Sequence, residues 1–307
     1  KFMLTIVIFT NYEGESLDKI LNDLNKIHNT ILINIWLVNW GKTKHSIKKK
    51  IKISKNKKIR FLRCELKNFG ERYVKYLKKI KTKYVWFIGD DDRINYKNYH
   101  ILENVINKNY SGITMNSSAI INRLNFKNNK NYKIENLQIE KHIHLTGFTT
   151  SQIINVEMLK KESILNKNFE INLYPQLYFI LYLIIKKGNW KFLQLDLVKN
   201  RIKNFRYLDK KNLLIRLNNE YRGYLIPLKK WIAKDSNTYR LCYKKLFFSN
   251  IISWINLNIK INGKKKTYKI IIKNKALKVF SINVIIANFL LFIIPNKLVN
   301  LIRNIVK

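Results

Sequence analysis

The chain has 307 residues, enough for one large domain, or one domain and a smaller appendage, with a sizeable core. Lys and Arg number 60 against 19 Asp and Glu, a formal charge of +41 that favours anionic partners: nucleic acid, an acidic membrane face or phosphorylated substrates. Two cysteines far apart, Cys64 and Cys242, with no CxxC companion argue against a disulfide framework or a zinc site and for the cytoplasm. Lys, Asn and Ile abound while Gly and Pro are scarce, so an AT-rich coding sequence accounts for the charge as well as an anionic partner does. Lys1 to Phe9 lacks the long apolar run and small-residue cleavage site of a signal peptide.

Met3 to Phe9 reads as a buried first strand, with Thr10-Asn11-Tyr12-Glu13-Gly14 as the loop at its carboxyl end. Ser16 then caps a helix in which Leu17, Ile20, Leu21, Leu24 and Ile27 recur at helical spacing. Ile31 to Val38 is the second strand, ending in Asn39-Trp40-Gly41. Lys42 to Lys58 is basic and reads as a weak helix and a loop. Ile59 to Leu66 is the third strand. Asn68-Phe69-Gly70 turns the chain into a helix from Glu71 to Lys81 that buries Val74, Leu77 and Ile80.

Tyr84 to Gly89 comes next, apolar on both faces, and it runs straight into Asp90, Asp91 and Asp92. Strands alternating with helices in this way build a parallel α/β sheet. Thr10 to Glu13, Asn39 and Asp90 to Asp92 then fall at carboxyl ends of strands, on one rim, where ligands bind such sheets. Ionised carboxylates about 4 Å apart repel by roughly 4 kcal/mol at an effective dielectric of about 20. The triplet therefore calls for a positive neighbour, either a Lys or Arg or a divalent metal carrying a phosphorylated ligand. An acidic turn capping the next helix is the alternative.

Further on, Tyr96 to Asn107 reads as a helix, Gly112 to Asn116 as a strand, and Asn122 to Glu140 as a polar, mobile loop. Thr146 to Gln152 is a polar loop leading into a short strand at Ile153 and Ile154. Tyr174 to Ile185 is a core helix, with Pro175 in its first turn, too short to cross a bilayer. Trp190 to Val198 alternates as a final strand and closes the unit near Phe205. From Tyr207 the character changes to helical patterns over Leu208 to Lys234 and Asn237 to Ile259, then a basic turn at Asn262 to Lys266. Val279 to Ile294, sixteen residues, falls short of the roughly 20 needed to span a hydrocarbon core. Flanked by Lys, it fits a helix lying in an anionic membrane face or one packing on its own domain. The boundaries implied are 1–206 for an α/β domain and 207–307 for a basic helical extension.

Taken together, the first 205 residues resemble the family 2 glycosyltransferases of the GT-A fold, a mostly parallel sheet flanked by helices. The residues that carry the likeness are Phe9-Thr10-Asn11-Tyr12, Asn39-Trp40-Gly41, Asn68-Phe69-Gly70 and the DxD-type triplet Asp90-Asp91-Asp92. Trp86 to Asp92 is similar to the abequosyltransferase-like branch that works on bacterial surface polysaccharides. The resemblance implies an inverting, metal-dependent transfer of a sugar from a nucleotide diphosphate donor, with Mg2+ or Mn2+ as cofactor. It makes Asp92 the main metal ligand, gives Asp90 the ribose or the metal's water shell, and leaves Asp91 between them. Thr10, Asn11, Glu13 and Asn39 would hold the nucleotide. Asn39 stands where the family has an Asp reading the base, so the preferred base is open.

The family's acid near the start of the Tyr174 helix is absent, since Gln176 cannot act as a base. Glu170 is the substitute as catalytic base, with Asp196 behind it. Thr150, Ser151, Gln152 and Gln176 are the expected acceptor contacts. His142 and His144 read either as acceptor contacts or a base, or as surface histidines. The partners implied are a nucleotide-sugar, a glycan or polyprenyl-pyrophosphate-linked acceptor and an anionic membrane surface, placing the protein on the inner face of the cell membrane. Two other classes stay open: a basic nucleic-acid-binding protein, which Lys and Arg interleaved with aromatics would suit, and an inactive membrane-bound scaffold.

Overall fold

A computed structural model describes residues 3–10, 16–27, 33–39, 57–66, 68–117, 132–162, 164–166, 174–200, 210–233, 236–246 and 252–273. The chain divides into two compact units. One comprises Lys1–Phe205 with Gly223–Lys245, and the other Arg206–Arg222 with Leu246–Lys307.

The first unit is organised on a mixed sheet whose described strands run in the order β3-β2-β1-β4-β8-β6-β9-β5, with β7 also on β9. Strands β1 (Leu4–Thr10), β2 (Ile33–Asn39), β3 (Lys57–Arg63) and β4 (Tyr84–Gly89) pair in parallel. Strand β8 (Gln152–Asn155) lies antiparallel to both β4 and β6 (Gly112–Ser117), and β6 runs parallel to β9 (Trp190–Asn200). Hence β6 and β9 point the same way as β4.

Period-two geometry explains the continuous apolar runs, because alternate residues feed opposite cores. Leu4, Ile6 and Ile8 of β1 and Tyr84, Trp86 and Ile88 of β4 pack with α1 (Ser16–Asn25) and α3 (Tyr99–Ile106). Val7 and Phe9, with Val85 and Phe87, pack on the other side with α2 (Phe69–Lys79), α5 (Val156–Lys161) and α6 (Gln176–Lys187). The helix ends follow the chain's own signals. Asn68 caps α2 by accepting from the amides of Gly70 (2.7 Å) and Glu71 (3.4 Å), and Gly188 closes α6 at φ +67°.

Several features depart from the sequence reading, among them the helix α5 and three more. Asp92 is not loop but opens a short strand, β5 (Asp92–Ile94), antiparallel to the end of β9. Within the expected loop 122–140, β7 (Lys133–Asn136) pairs antiparallel with β9 and α4 (Ile139–Thr146) begins. The expected basic turn narrows to Gly263, at φ +79°, because Lys264 already starts a helix. The expected helix at 42–58 lies almost wholly outside the described residues, and the apolar stretch 279–294 lies entirely outside them.

After β9 come α7 (Lys210–Trp231), α8 (Asn237–Leu246), α9 (Ile252–Asn262) and α10 (Lys264–Lys273). Among the described residues no helix is long and apolar enough to cross a membrane.

Candidate functional site

Register puts the expected rim together. Thr10 pairs with Asn39 and Phe9 with Gly89, so β1, β2 and β4 end level, and Asp90 leaves the sheet beside Thr10. Thr10 is buried and Asn39 half-buried, its carbonyl accepting from the Cys64 amide at 2.9 Å. An aromatic column floors this edge. Phe9 stacks on Phe87 (5.7 Å), Phe69 and Tyr76 meet Phe9 edge-on, and Tyr73 lies 4.1 Å from Phe87. Such a floor leaves the strand ends little freedom. Asn11, Glu13 and Glu170 lie outside the described residues.

The acidic triplet is graded by burial: Asp90 half-buried, Asp91 exposed, Asp92 only 2% exposed. The Asp92 carboxylate accepts the Gly89 amide (3.2 Å) and the Thr150 hydroxyl on the same oxygen, Oδ2. Burial, followed by the Asp91 charge, pushes the Asp92 carboxyl well above the usual range, against the pull of those two hydrogen bonds. Asp91 Oδ1 and Asp92 Oδ2 each come within 2.8 Å of where a Cβ on Gly89 would sit, so two carboxylates crowd one small volume. The adjacent cation does not neutralise them. Arg93 turns to Asp23 of α1 with paired hydrogen bonds of 2.5 and 2.7 Å, and the Ile94 amide adds a third at 3.2 Å. Asp23 thereby anchors β5 and fixes where the triplet ends.

Among the described residues no three His, Cys, Asp or Glu side chains gather to hold a metal ion. Two crowded carboxylate oxygens are nevertheless the donor type a hard divalent cation takes, and such a cation is commonly held by one or two carboxylates plus phosphate and water. The residues present fit that arrangement.

Facing the triplet is the turn Thr149–Ser151, which the structure holds from three sides. The Trp86 indole donates to the Thr150 carbonyl at 2.7 Å. Gln152 is buried, with its amide donating to Leu145 and Phe148 carbonyls (2.9 and 3.4 Å) and its oxygen accepting from Thr114 at 2.7 Å. Gln176 is buried at the start of α6 and donates to the Gly147 carbonyl at 2.8 Å, leaving Oε1 without a hydrogen-bond partner, as is Ser151 Oγ. Since α6 ends where β9 begins, on the far edge, its first turn lies toward the acidic rim. There the Tyr174 ring packs on Gly223 and lies 4.6 Å from Tyr224, whose hydroxyl covers Gly147.

His142 stacks on Phe192 of β9 at 4.1 Å, and His144 is driven down to about 4 by burial and by the Lys245 charge, so it is neutral at pH 7. Asp196 is half-buried on β9, where its carbonyl accepts from Asn95 at 3.2 Å. The sequence reading missed the Thr150–Asp92 and Arg93–Asp23 bonds. Their partners lie 58 and 70 residues apart, and no local pattern marks either.

No protein-family model matches the sequence, and no curated protein matches it. Among solved structures the chain is similar to S. aureus TarS 1–349 in complex with UDP-GlcNAc, with a TM-score of 0.63 and 12% identity over 89% of this chain and 80% of that one. It is also similar to the mannosyltransferase PcManGT from Pyrobaculum calidifontis in complex with GDP-Man and Mn2+, at 0.51 and 8% over 91% and 81%. At such identities the likeness is one of fold. The sheet and its helices are those of GT-A-type glycosyltransferases.

Proposed function

We propose that the protein is an inverting glycosyltransferase that moves a sugar from a nucleoside diphosphate to a glycan or lipid-linked acceptor. The observation that carries this reading is the crowding of the Asp91 and Asp92 carboxylates at the level rim formed by Thr10, Asn39 and Gly89. Neighbours of the same fold bind UDP-GlcNAc or GDP-Man, and one holds Mn2+ as well. Asp92, expected as the main metal ligand, and the outward Asp91 would both offer oxygens to the cation, with Asp90 toward the ribose. Thr10, Asn11, Glu13 and Asn39 hold the nucleotide. A bound Mg2+ or Mn2+ would neutralise the charge developing on the leaving diphosphate.

The acceptor hydroxyl oxygen forms the new bond to the anomeric carbon as the bond to diphosphate oxygen breaks, and its proton passes to a base, for which Glu170 is the candidate. The acceptor side is the surface beside Thr149 and Tyr174, with Thr150, Ser151, Gln152 and Gln176, the contacts expected from the sequence, buried behind it. A role in bacterial surface polysaccharide synthesis, on an anionic membrane face, accords with the basic composition.

A thermal-shift series with UDP and GDP, each with and without Mn2+, tests the donor site. A ligand at a hundred times its Kd adds about 2.7 kcal/mol. The expected result is a metal-dependent shift that Asp91→Asn removes. No shift with either nucleotide and metal would refute the reading.

A further inference from the structure

The sequence makes Thr150 an acceptor contact, but its hydroxyl is buried against Asp92. The residue is 2% exposed, and its hydroxyl donates to Asp92 Oδ2. The Gly89 amide reaches Asp92 Oδ2 and Thr150 Oγ1 at 3.2 Å each, closing a triangle of strand amide, acid and hydroxyl. The Thr150 backbone is fixed independently, by the fully buried Trp86 indole on its carbonyl at 2.7 Å and by the Trp86–Ile153 pairing of β4 with β8. A hydroxyl held this way is a donor with a set direction.

Asp92 needs one. A buried carboxylate is tolerated only where donors meet it, and the Asp91 carboxylate crowds it across Gly89. Without the hydroxyl, only the Gly89 amide among these contacts would hold Asp92, and its carboxylate would be free to swing and carry the Asp91–Asp92 geometry with it.

We propose that Thr150 is a positioning residue: its hydroxyl sets the Asp92 carboxylate so that Asp91 and Asp92 together present oxygens to a divalent cation and the diphosphate it carries. This rests on the donor-site assignment above and adds to it a specific link, from the acceptor-side turn to the metal side of the site. A bridging hydroxyl makes the two halves of the reaction centre geometrically dependent on one another.

The test uses the full chain as wild type, Thr150→Val, which keeps the shape and removes the donor, and Thr150→Ser, which keeps the donor. Three readouts are needed: thermal melting, Mn2+ binding alone by electron paramagnetic resonance, and UDP or GDP binding by calorimetry with and without Mn2+. A hydrogen bond to a charged group sets the scale at about tenfold or more. T150V is expected to melt cooperatively yet bind Mn2+, and nucleotide with Mn2+, about tenfold more weakly. T150S should stay within a few-fold of wild type in both. Should T150V fail to fold, Thr150→Ala against T150S isolates the hydroxyl from the methyl, with the same ordering expected.

A folded T150V with wild-type Mn2+ and nucleotide affinity overturns the role of Thr150 alone. So does a T150S as impaired as T150V. Wild-type protein that binds neither Mn2+ nor either nucleotide overturns the donor site and this role together.

Discussion

Asp92 is where function and stability pull apart. Burial raises its carboxyl well above an ordinary Asp, the Asp91 and Asp90 charges raise it further, and the Thr150 and Gly89 hydrogen bonds offset only part. For an acid whose folded pKa lies above its unfolded one, the stabilising contribution is complete below the unfolded value, about 3.9, and is lost as pH rises through the folded one. At neutral pH the group therefore contributes less to stability than it does in acid. Asp92→Asn should melt higher than wild type at pH 7 in EDTA and lose that advantage by about pH 4, while metal-dependent transfer collapses; calorimetric melts across this range check it, and a lower melting point at pH 7 would show that the hydrogen bonds outweigh burial. Gly89→Ala tests the same crowding from below. Its Cβ would sit 2.8 Å from both carboxylate oxygens, so the acids must move. The expected outcome is weaker Mn2+ binding by titration, at a stability cost of about 1–3 kcal/mol, since exposed Asp91 can swing outward but buried Asp92 cannot. The acids themselves were legible because three carboxylates at the end of a doubly buried strand repel one another and call for a positive neighbour. Their partner Thr150 was not, because a hydrogen bond across 58 residues leaves no trace in local spacing.

Elements were legible in proportion to how much they bury on their own. The runs of β1, β2 and β4 announce themselves because both faces are covered, and α1 and α2 because their apolar residues recur at helical spacing. β5 and β7 carry the sequences DRI and KIEN, which have no strand pattern. They are strands only because β9 offers them an edge, and such tertiary context overrides propensity. In α4 the buried Ile139 and Ile143 are four apart, a faint signal outweighed by the polar Lys-His-Ile-His run. β5 in turn depends on one ion pair, since Asp23 is 2% exposed while Arg93 is 39% exposed at the side chain. Arg93→Ala leaves buried Asp23 with the Ile94 amide alone among these contacts, and because Arg93 is partly solvated it should destabilise by about 1–3 kcal/mol in denaturant unfolding. Asp23→Asn, which keeps a hydrogen-bonding oxygen, should cost less. Sheet and loop are tied as well: the Trp190 indole donates to Thr114 (2.9 Å), and Thr114 to Gln152, which holds the carbonyls of Leu145 and Phe148. Thr114→Val strands both neighbours and should cost about 1–3 kcal/mol.

At the scale of the molecule, the change of composition at Tyr207 suggested a boundary, yet Gly223–Lys245 belongs to the first compact unit. Helical patterning shows that a segment buries one face but not against what. Tyr224, Leu225 and Leu228 find their cover through contacts such as the Tyr224 hydroxyl on Gly147, which only the folded chain reveals. Net charge is a whole-molecule property of a different kind, silent about fold and informative about partners. If the excess of 60 basic over 19 acidic residues holds the protein on an anionic membrane, the attraction is worth about 1 kcal/mol for each Lys or Arg near the surface and works within a Debye length. That length shrinks from about 10 Å at 0.1 M salt to about 3 Å at 1 M. Flotation with phosphatidylserine-containing vesicles should then show strong binding at low salt, a fall of more than about tenfold by 1 M, and none on neutral vesicles. Binding that survives 1 M salt and ignores lipid charge would instead assign the attachment to the apolar residues between Val279 and Ile294.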